Sequence, residues 1–157
     1  MTRSIAVSLA AVALAGCGDA RGRVQPTVVD GREWRSNAVI IVRQLQQDIA
    51  ATQISGSTPE TARAALRDPS SLYGLLVSYS DFGGCREMVA AAGEVPAASA
   101  RADSLLVAGC AHLERASKLF TVAVTHDDGQ SLLAAGHESG LALPSLVRAA
   151  AALGARR

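Results

Sequence analysis

The sequence predicts an all-α fold: a small antiparallel bundle of about four helices carrying one inter-helix disulfide. Three observations predict it. Alanine, the strongest helix former, fills about a fifth of the 157 positions. Apolar residues recur at intervals of three and four, the period of a helix face, and no alternating strand pattern of useful length occurs. Two cysteines also fall at matching places on two successive helical segments. With 49% hydrophobic and 18% charged residues the chain is too apolar for disorder. Its length suits one domain, which the composition places at residues 30–157.

The helices follow in order. Asp30, with Glu33 three positions on, is a start signal of capping-box type. Trp34, Ala38, Ile41, Leu45, Ile49 and Thr52 then mark one helix face, which ends before Gly56. Thr58-Pro59-Glu60 restarts a helix with a hydroxyl cap and a proline in the first turn, and that helix reaches about Arg67. Asp68-Pro69 repeats the signal. The third helix carries Leu72, Leu75, Tyr79, Phe82, Arg86 and Val89 along one seam until Gly93-Glu94-Val95-Pro96 breaks it. The fourth carries Leu106, Cys110, Leu113, Ser117, Phe120 and Val124, and His126-Asp127-Asp128-Gly129 ends or kinks it. Residues 130–153 are helical by composition, with interruptions expected at Gly140 and Pro144. Arg86 stands on an apolar seam, so it either snorkels or pairs with an acid such as Glu114.

Cys85 and Cys110 test the hairpin between the third and fourth helices. Facing residues of an antiparallel pair have numbers with a roughly constant sum. The cysteines add to 195, which centres the turn between residues 97 and 98, at or just after the break read from glycine and proline. The same sum sets Phe82 opposite Leu113, Val89 opposite Leu106 and Leu75 opposite Phe120, apolar against apolar throughout. A disulfide needs Cα atoms within about 7 Å, closer than most helix pairs approach. Gly83, Gly84 and Gly109 beside the cysteines are expected to permit that approach. The competing reading is a pair of free core thiols. Two cysteines without CxxC spacing or nearby histidines do not suggest zinc.

The N-terminus carries a different kind of signal. Met1-Thr2-Arg3 leads into an apolar run from Ile5 to Leu14, about half the length needed to span a bilayer. Leu14-Ala15-Gly16-Cys17 follows directly. Residues 1–19 resemble the signal peptide and lipobox of bacterial lipoproteins. The resemblance implies removal of residues 1–16, attachment of diacylglycerol to the Cys17 thiol with acyl chains such as palmitate, and export to a lipid-anchored position on the outer face of the cell membrane or a periplasm-facing leaflet. It implies nothing about the domain beyond. Residues 17–29 then read as a lipidated tether, poor in helical period and rich in glycine, proline and polar residues, spanning roughly 20 Å on average.

Charge removes one class of partner. Residues 17–157 hold equal numbers of basic and acidic groups, a poor match to a nucleic acid. Five aromatic residues are too few to predict a stacking platform for bases or sugars. The search for chemistry is mostly negative. His112 and His126 lie on one face but about 21 Å apart along an unbroken helix, too far to share a metal. No P-loop, nucleophile elbow or Glu-x-x-His pattern occurs. His126, Asp127 and Asp128 are the one polar cluster that suits a cation or a general base, against a plainer reading as a helix end and cap. Trp34, Tyr73, Tyr79, Phe82 and Met88 are either core or the lining of a haem or lipid pocket. The expectation is therefore a non-catalytic interaction module, with no catalytic residue, metal or cofactor assigned, held to the membrane through Cys17 and facing an envelope protein partner. The alternatives are a haem- or lipid-binding lipoprotein and, more distantly, an enzyme using the His-Asp-Asp cluster.

Overall fold

The starts of three helices, those capped by Thr58, Asp68 and Asp128, use a hydroxyl or carboxylate to take up the first free amides. The computed structural model describes residues 31–53 and 58–154. Thr58 accepts the Thr61 N–H at 3.3 Å while the Thr61 hydroxyl accepts the Thr58 N–H at 3.2 Å, a reciprocal cap for α2 (Pro59–Arg67). Asp68 accepts the Ser71 N–H at 2.8 Å and starts α3 (Pro69–Gly83). The expected cap at Asp30 lies outside the described residues, which begin with α1 (Gly31–Ala51). A short helix α4 (Cys85–Ala91) and a 3₁₀ turn at Ala97–Ser99 lead into the long pair α5 (Ala100–His126) and α6 (Gly129–Ala152).

Among the described residues the all-helical class is as predicted, with six α-helices where about four were expected. The third segment divides: Gly84 separates α3 from α4, and Gly93 at φ 109 closes α4. The final segment does the reverse and runs unbroken through Gly140 and Pro144. A helical proline presses on the carbonyl four residues earlier, here that of Gly140. Pro144 is exposed, and a Cβ on Gly140 would meet open space, so the strain falls on the solvent side while the opposite side stays packed.

That packed side decides the architecture. The helices α5 and α6 are antiparallel across a connection of Asp127 and Asp128. Leu146 Cδ2 lies 3.0 Å from the place a Cβ on Gly109 would occupy, so residues whose numbers add to 255 face each other. In that register Leu106 meets Ala149, Leu113 meets Ala142, Phe120 meets Ala135 and Leu132 meets Ala123, all buried. Large opposes small at each of these four levels, which lets two helices pack closely at high density. Gly109 therefore serves the α5–α6 contact and not the disulfide it adjoins in sequence. The core face of α5 ends on Ala116, Phe120 and Ala123; Ser117 is half-buried and Val124 exposed, one position off the predicted stripe. Similarly Val42 takes the buried place expected of Ile41.

The disulfide between Cys85 and Cys110 is present, with Cα atoms 5.4 Å apart and both residues fully buried. Beyond it the register shifts. Tyr79, and not Leu75, stacks on Phe120 with ring centroids 4.3 Å apart and planes within 9°. A Cβ on Gly83 would lie 3.0 Å from Ser117 Oγ, which closes α3 on α5. The break at Gly84 explains the shift, because a uniform index sum requires one continuous helix. Arg86 pairs with Glu114 at 2.8 Å, the pairing expected from its place on the seam.

Two stability predictions follow from these contacts. Gly129 begins α6, and a Cβ there would lie 1.9 Å from the Pro59 carbonyl oxygen, against the backbone of α2. Gly129→Ala should therefore cost about 3 kcal/mol, whereas Gly140→Ala, facing open space, should gain about 0.5–1 kcal/mol. Urea midpoints of the two variants read the difference directly. Removing the disulfide with Cys85→Ser and Cys110→Ser should cost about 3–4 kcal/mol in the chain-entropy account of a closed loop this long. Non-reducing peptide mapping checks the linkage, and free thiols at both positions would contradict it.

Candidate functional site

The His126, Asp127 and Asp128 cluster is built as a corner. The α5 helix ends at His126, and Asp127 turns the chain with φ 51 and ψ 43. The left-handed region is open to few residues other than glycine, and aspartate tolerates it. The Asp128 N–H then donates to the Ala123 carbonyl at 2.9 Å, closing the end of the helix. Asp128 caps α6, accepting the Gln130 N–H at 3.0 Å, the Ser131 N–H at 3.2 Å and the Ser131 hydroxyl at 2.6 Å. The Arg67 guanidinium forms an ion pair with the Asp127 carboxylate, and Arg63 Nε donates to the Asp127 carbonyl at 3.0 Å. His126 is exposed. The carboxylates are thus committed to joining α2, α5 and α6. Gly129 completes the corner through close approach to α2, with a negative φ, and not by easing a turn.

These contacts set the charges. The Arg67 guanidinium holds Asp127 below the ordinary carboxylate range. The Ser131 hydroxyl, aided by the Gln130 N–H, does the same for Asp128, and the Ser71 cap contacts do so for Asp68. Glu138 is also lowered: burial pushes it up, but hydrogen bonds from Arg115 and His112 together outweigh burial. Arg115 Nε donates to Glu138 Oε1 at 2.6 Å. His112 Nδ1 lies 2.8 Å from that oxygen and 2.8 Å from Arg115 Nη2, so it donates to the first when protonated or accepts from the second when bare. This knot ties the flanks of α5 and α6 together, a role for His112 that its spacing from His126 did not reveal.

The five residues considered as a pocket lining do not share one. Trp34, Tyr79 and Phe82 are core, Tyr73 is 71% exposed on the outer side of α3, and Met88 packs against the core's edge. Tyr79 also meets Phe82 edge-on at 5.2 Å. Among the described residues neither Tyr79 Oη nor Trp34 Nε1 has a hydrogen-bond partner. Burial pushes the Tyr79 phenol well above its ordinary value, and the nearby Thr52 hydroxyl offsets little of this. Thr52 itself donates to the Ile49 carbonyl at 2.9 Å and lies 3.4 Å from Ser139 Oγ, where small Ala116 and Ser139 face each other and leave room.

Two features were missed by sequence reasoning. A cleft of about 550 Å³ runs between the end of α1 and α6, lined by residues including Thr52, Gln53, Leu133, Gly136, His137 and Gly140. Only the Gly136–Gly140 spacing on one face of α6 hints at it. Asp48 on α1 is buried and held by Gln44 Nε2 at 3.1 Å from each carboxylate oxygen. Burial raises it above the ordinary range, and the neighbouring Asp81 adds to the rise. It sits one turn from Leu45 on the core face, a position where periodicity alone favours an apolar residue.

Among the described residues no group of three or more His, Cys, Asp or Glu is placed to hold a metal ion, and no helix is long and apolar enough to cross a membrane. Cys17 and the residues that resemble a lipoprotein signal lie outside the described residues. No family model, curated protein or solved structure matches this chain.

The lowered carboxylates predict an acid-labile corner. A depressed group contributes stability that is complete above its unfolded value near pH 4 and is lost as pH falls through its folded value. Asp68, Asp127, Asp128 and Glu138 all act in this direction. Asp48 acts oppositely, favouring the fold when protonated. The urea midpoint should thus hold steady through neutral pH and fall below about pH 4. The double variant Asp127→Asn and Asp128→Asn, which keeps acceptors but no charge, should show a shallower fall; an unchanged profile would count against the assignment.

Proposed function

We propose that the chain is a membrane-anchored extracytoplasmic lipoprotein whose helical domain is a non-catalytic interaction module for an envelope protein. The observation that carries the reading is the Leu14-Ala15-Gly16-Cys17 box, in register behind Arg3 and a short apolar run. The Cys85–Cys110 disulfide supports it, because such bonds persist in oxidising compartments outside the cytoplasm. The corner geometry supports the non-catalytic part: Asp127 and Asp128 are engaged in helix joining, which leaves His126 without a fixed carboxylate partner. Tyr73, Leu76 and Val77 form an exposed apolar stripe at helical spacing on α3, the kind of surface a protein partner covers.

A second reading, a lipoprotein that binds a small lipid or a haem, is favoured by the cleft between α1 and α6. Its volume falls within the range of small-molecule sites, and its walls are mixed leucine and glycine with polar groups at the Thr52 end. Bound ligand in native mass spectra, or a haem absorption band, would select this reading over the first.

The anchor is tested by Cys17→Ala, which should move the protein from the membrane fraction to the soluble fraction and abolish the acyl mass increment on the mature N-terminus. Unchanged membrane partitioning would refute the lipoprotein reading. In-envelope crosslinking of the native protein, followed by capture, should yield a defined protein partner that substitution of Tyr73 and Leu76 by serine weakens.

A further inference from the structure

Arg67, Arg86 and Arg115 each meet a carboxylate. Arg101 on α5 and Arg148 on α6 are different: both are exposed, and neither has a salt-bridge partner among the described residues. They flank a single cleft of about 470 Å³ whose other walls are small and apolar, Ala98, Ala102 and Ala151 among them. Two guanidiniums over an alanine floor suit an anionic group with oxygens to share, since guanidinium matches phosphate geometry.

The position of this cleft points to the source of the anion. A Cβ on Gly31 would lie 3.0 Å from Pro96 Cγ, so α1 begins against the segment that leads into α5. Because α6 returns antiparallel to α5, the start of α1, the start of α5 and the end of α6 lie at one end of the bundle. The chain from Cys17 enters the fold there. Fourteen residue steps separate Cys17 from Gly31, and on the tether reading they span roughly 20 Å on average. The Asp127 corner at the other end of α5 is about 40 Å away. An anchor on Cys17 therefore holds the arginine cleft, and not the corner, near the bilayer surface. Glu33, Glu94 and Asp103 lie toward the same end, so its net charge is modest and the attraction belongs to two placed side chains. The sequence carries two more arginines, Arg156 and Arg157, just past α6.

We propose that this end of the bundle is a headgroup-docking face, on which Arg101 and Arg148 bind the phosphates of anionic phospholipids in the membrane that holds Cys17. The proposal rests on the lipid-anchor reading. Docking sets the orientation of the domain, with α5 and α6 standing away from the bilayer and the stripe of Tyr73, Leu76 and Val77 on their flank left open to a partner.

Trp34 supplies the probe. It is the only tryptophan and lies in the first turn of α1, at the docking end. A nitroxide on a lipid headgroup quenches indole emission only at short range, so quenching reports close approach of the headgroups to this end of α1. The native lipidated protein is placed in vesicles of phosphatidylcholine, with or without phosphatidylglycerol, each carrying headgroup-labelled lipid. Quenching should be stronger in the vesicles with phosphatidylglycerol and should fall to the neutral level in high salt. An arginine near an anionic surface changes the docked-to-free ratio about five-fold, so Arg101→Gln with Arg148→Gln should lower it roughly twenty- to thirty-fold. The corresponding double lysine variant should retain most of the effect. Equal quenching in the two vesicle types, or quenching unchanged in a double glutamine variant with native circular dichroism, would overturn the docking face while leaving the anchor intact. Intact mass without acyl chains on Cys17 would instead overturn the anchor reading, and the docking face with it.

Discussion

The close packing of α5 on α6 is the constraint on which the other contacts depend. Two helices of 27 and 24 residues lie antiparallel with small side chains opposite large ones, and Gly109 admits Leu146 where a methyl group would touch it. Dispersion between close surfaces is weak per atom but accumulates over seven levels of contact. The hairpin so formed supplies the surface on which α1, α2 and α3 lie. It also explains why α6 tolerates Pro144: a helix held along its inner side by packing keeps its course despite one missing hydrogen bond on its outer side.

Around that hairpin the remaining elements are attached by a few specific devices. The disulfide ties α4 to α5 at a buried point, and the Tyr79–Phe120 stack ties α3 to α5 one register step away. The corner of Asp127, Asp128 and Gly129 ties α2 to both long helices through an ion pair, a cap and a backbone contact. Where Ala116 and Ser139 are both small, the level is completed from outside the pair by Thr52, and the polar contact between Thr52 and Ser139 is the consequence.

Parts of this arrangement were legible residue by residue. Thr58 and Asp68 declare helix starts because their side chains act on amides two or three positions away. The cysteine pair was legible because its index sum agreed with an independently placed turn, and Arg86 because a charge on an apolar seam needs a partner. The corner was legible in part, as a helix end followed by a cap. Its arginine partners were not, since Arg63 and Arg67 lie some 60 positions earlier in the chain. The role of Gly109 was misassigned for the same reason: a glycine shows that bulk is absent but does not name the neighbour that requires it.

The sequence alone therefore determined what is local. It set the helical class, the helix starts, the turn at Gly93–Pro96 and the spacing that brings Cys85 to Cys110. These depend on side chains within a few residues of each other or on one index sum. Tertiary structure decided the partner of each face. It made α5–α6 the central pair, split the third helix at Gly84, carried α6 through Pro144, and brought Arg101 and Arg148 together beside the point where the chain from Cys17 enters. The physical reason is that periodicity reports how much of a helix is buried, while complementarity of shape across the interface reports against what, and only a folded chain contains the second.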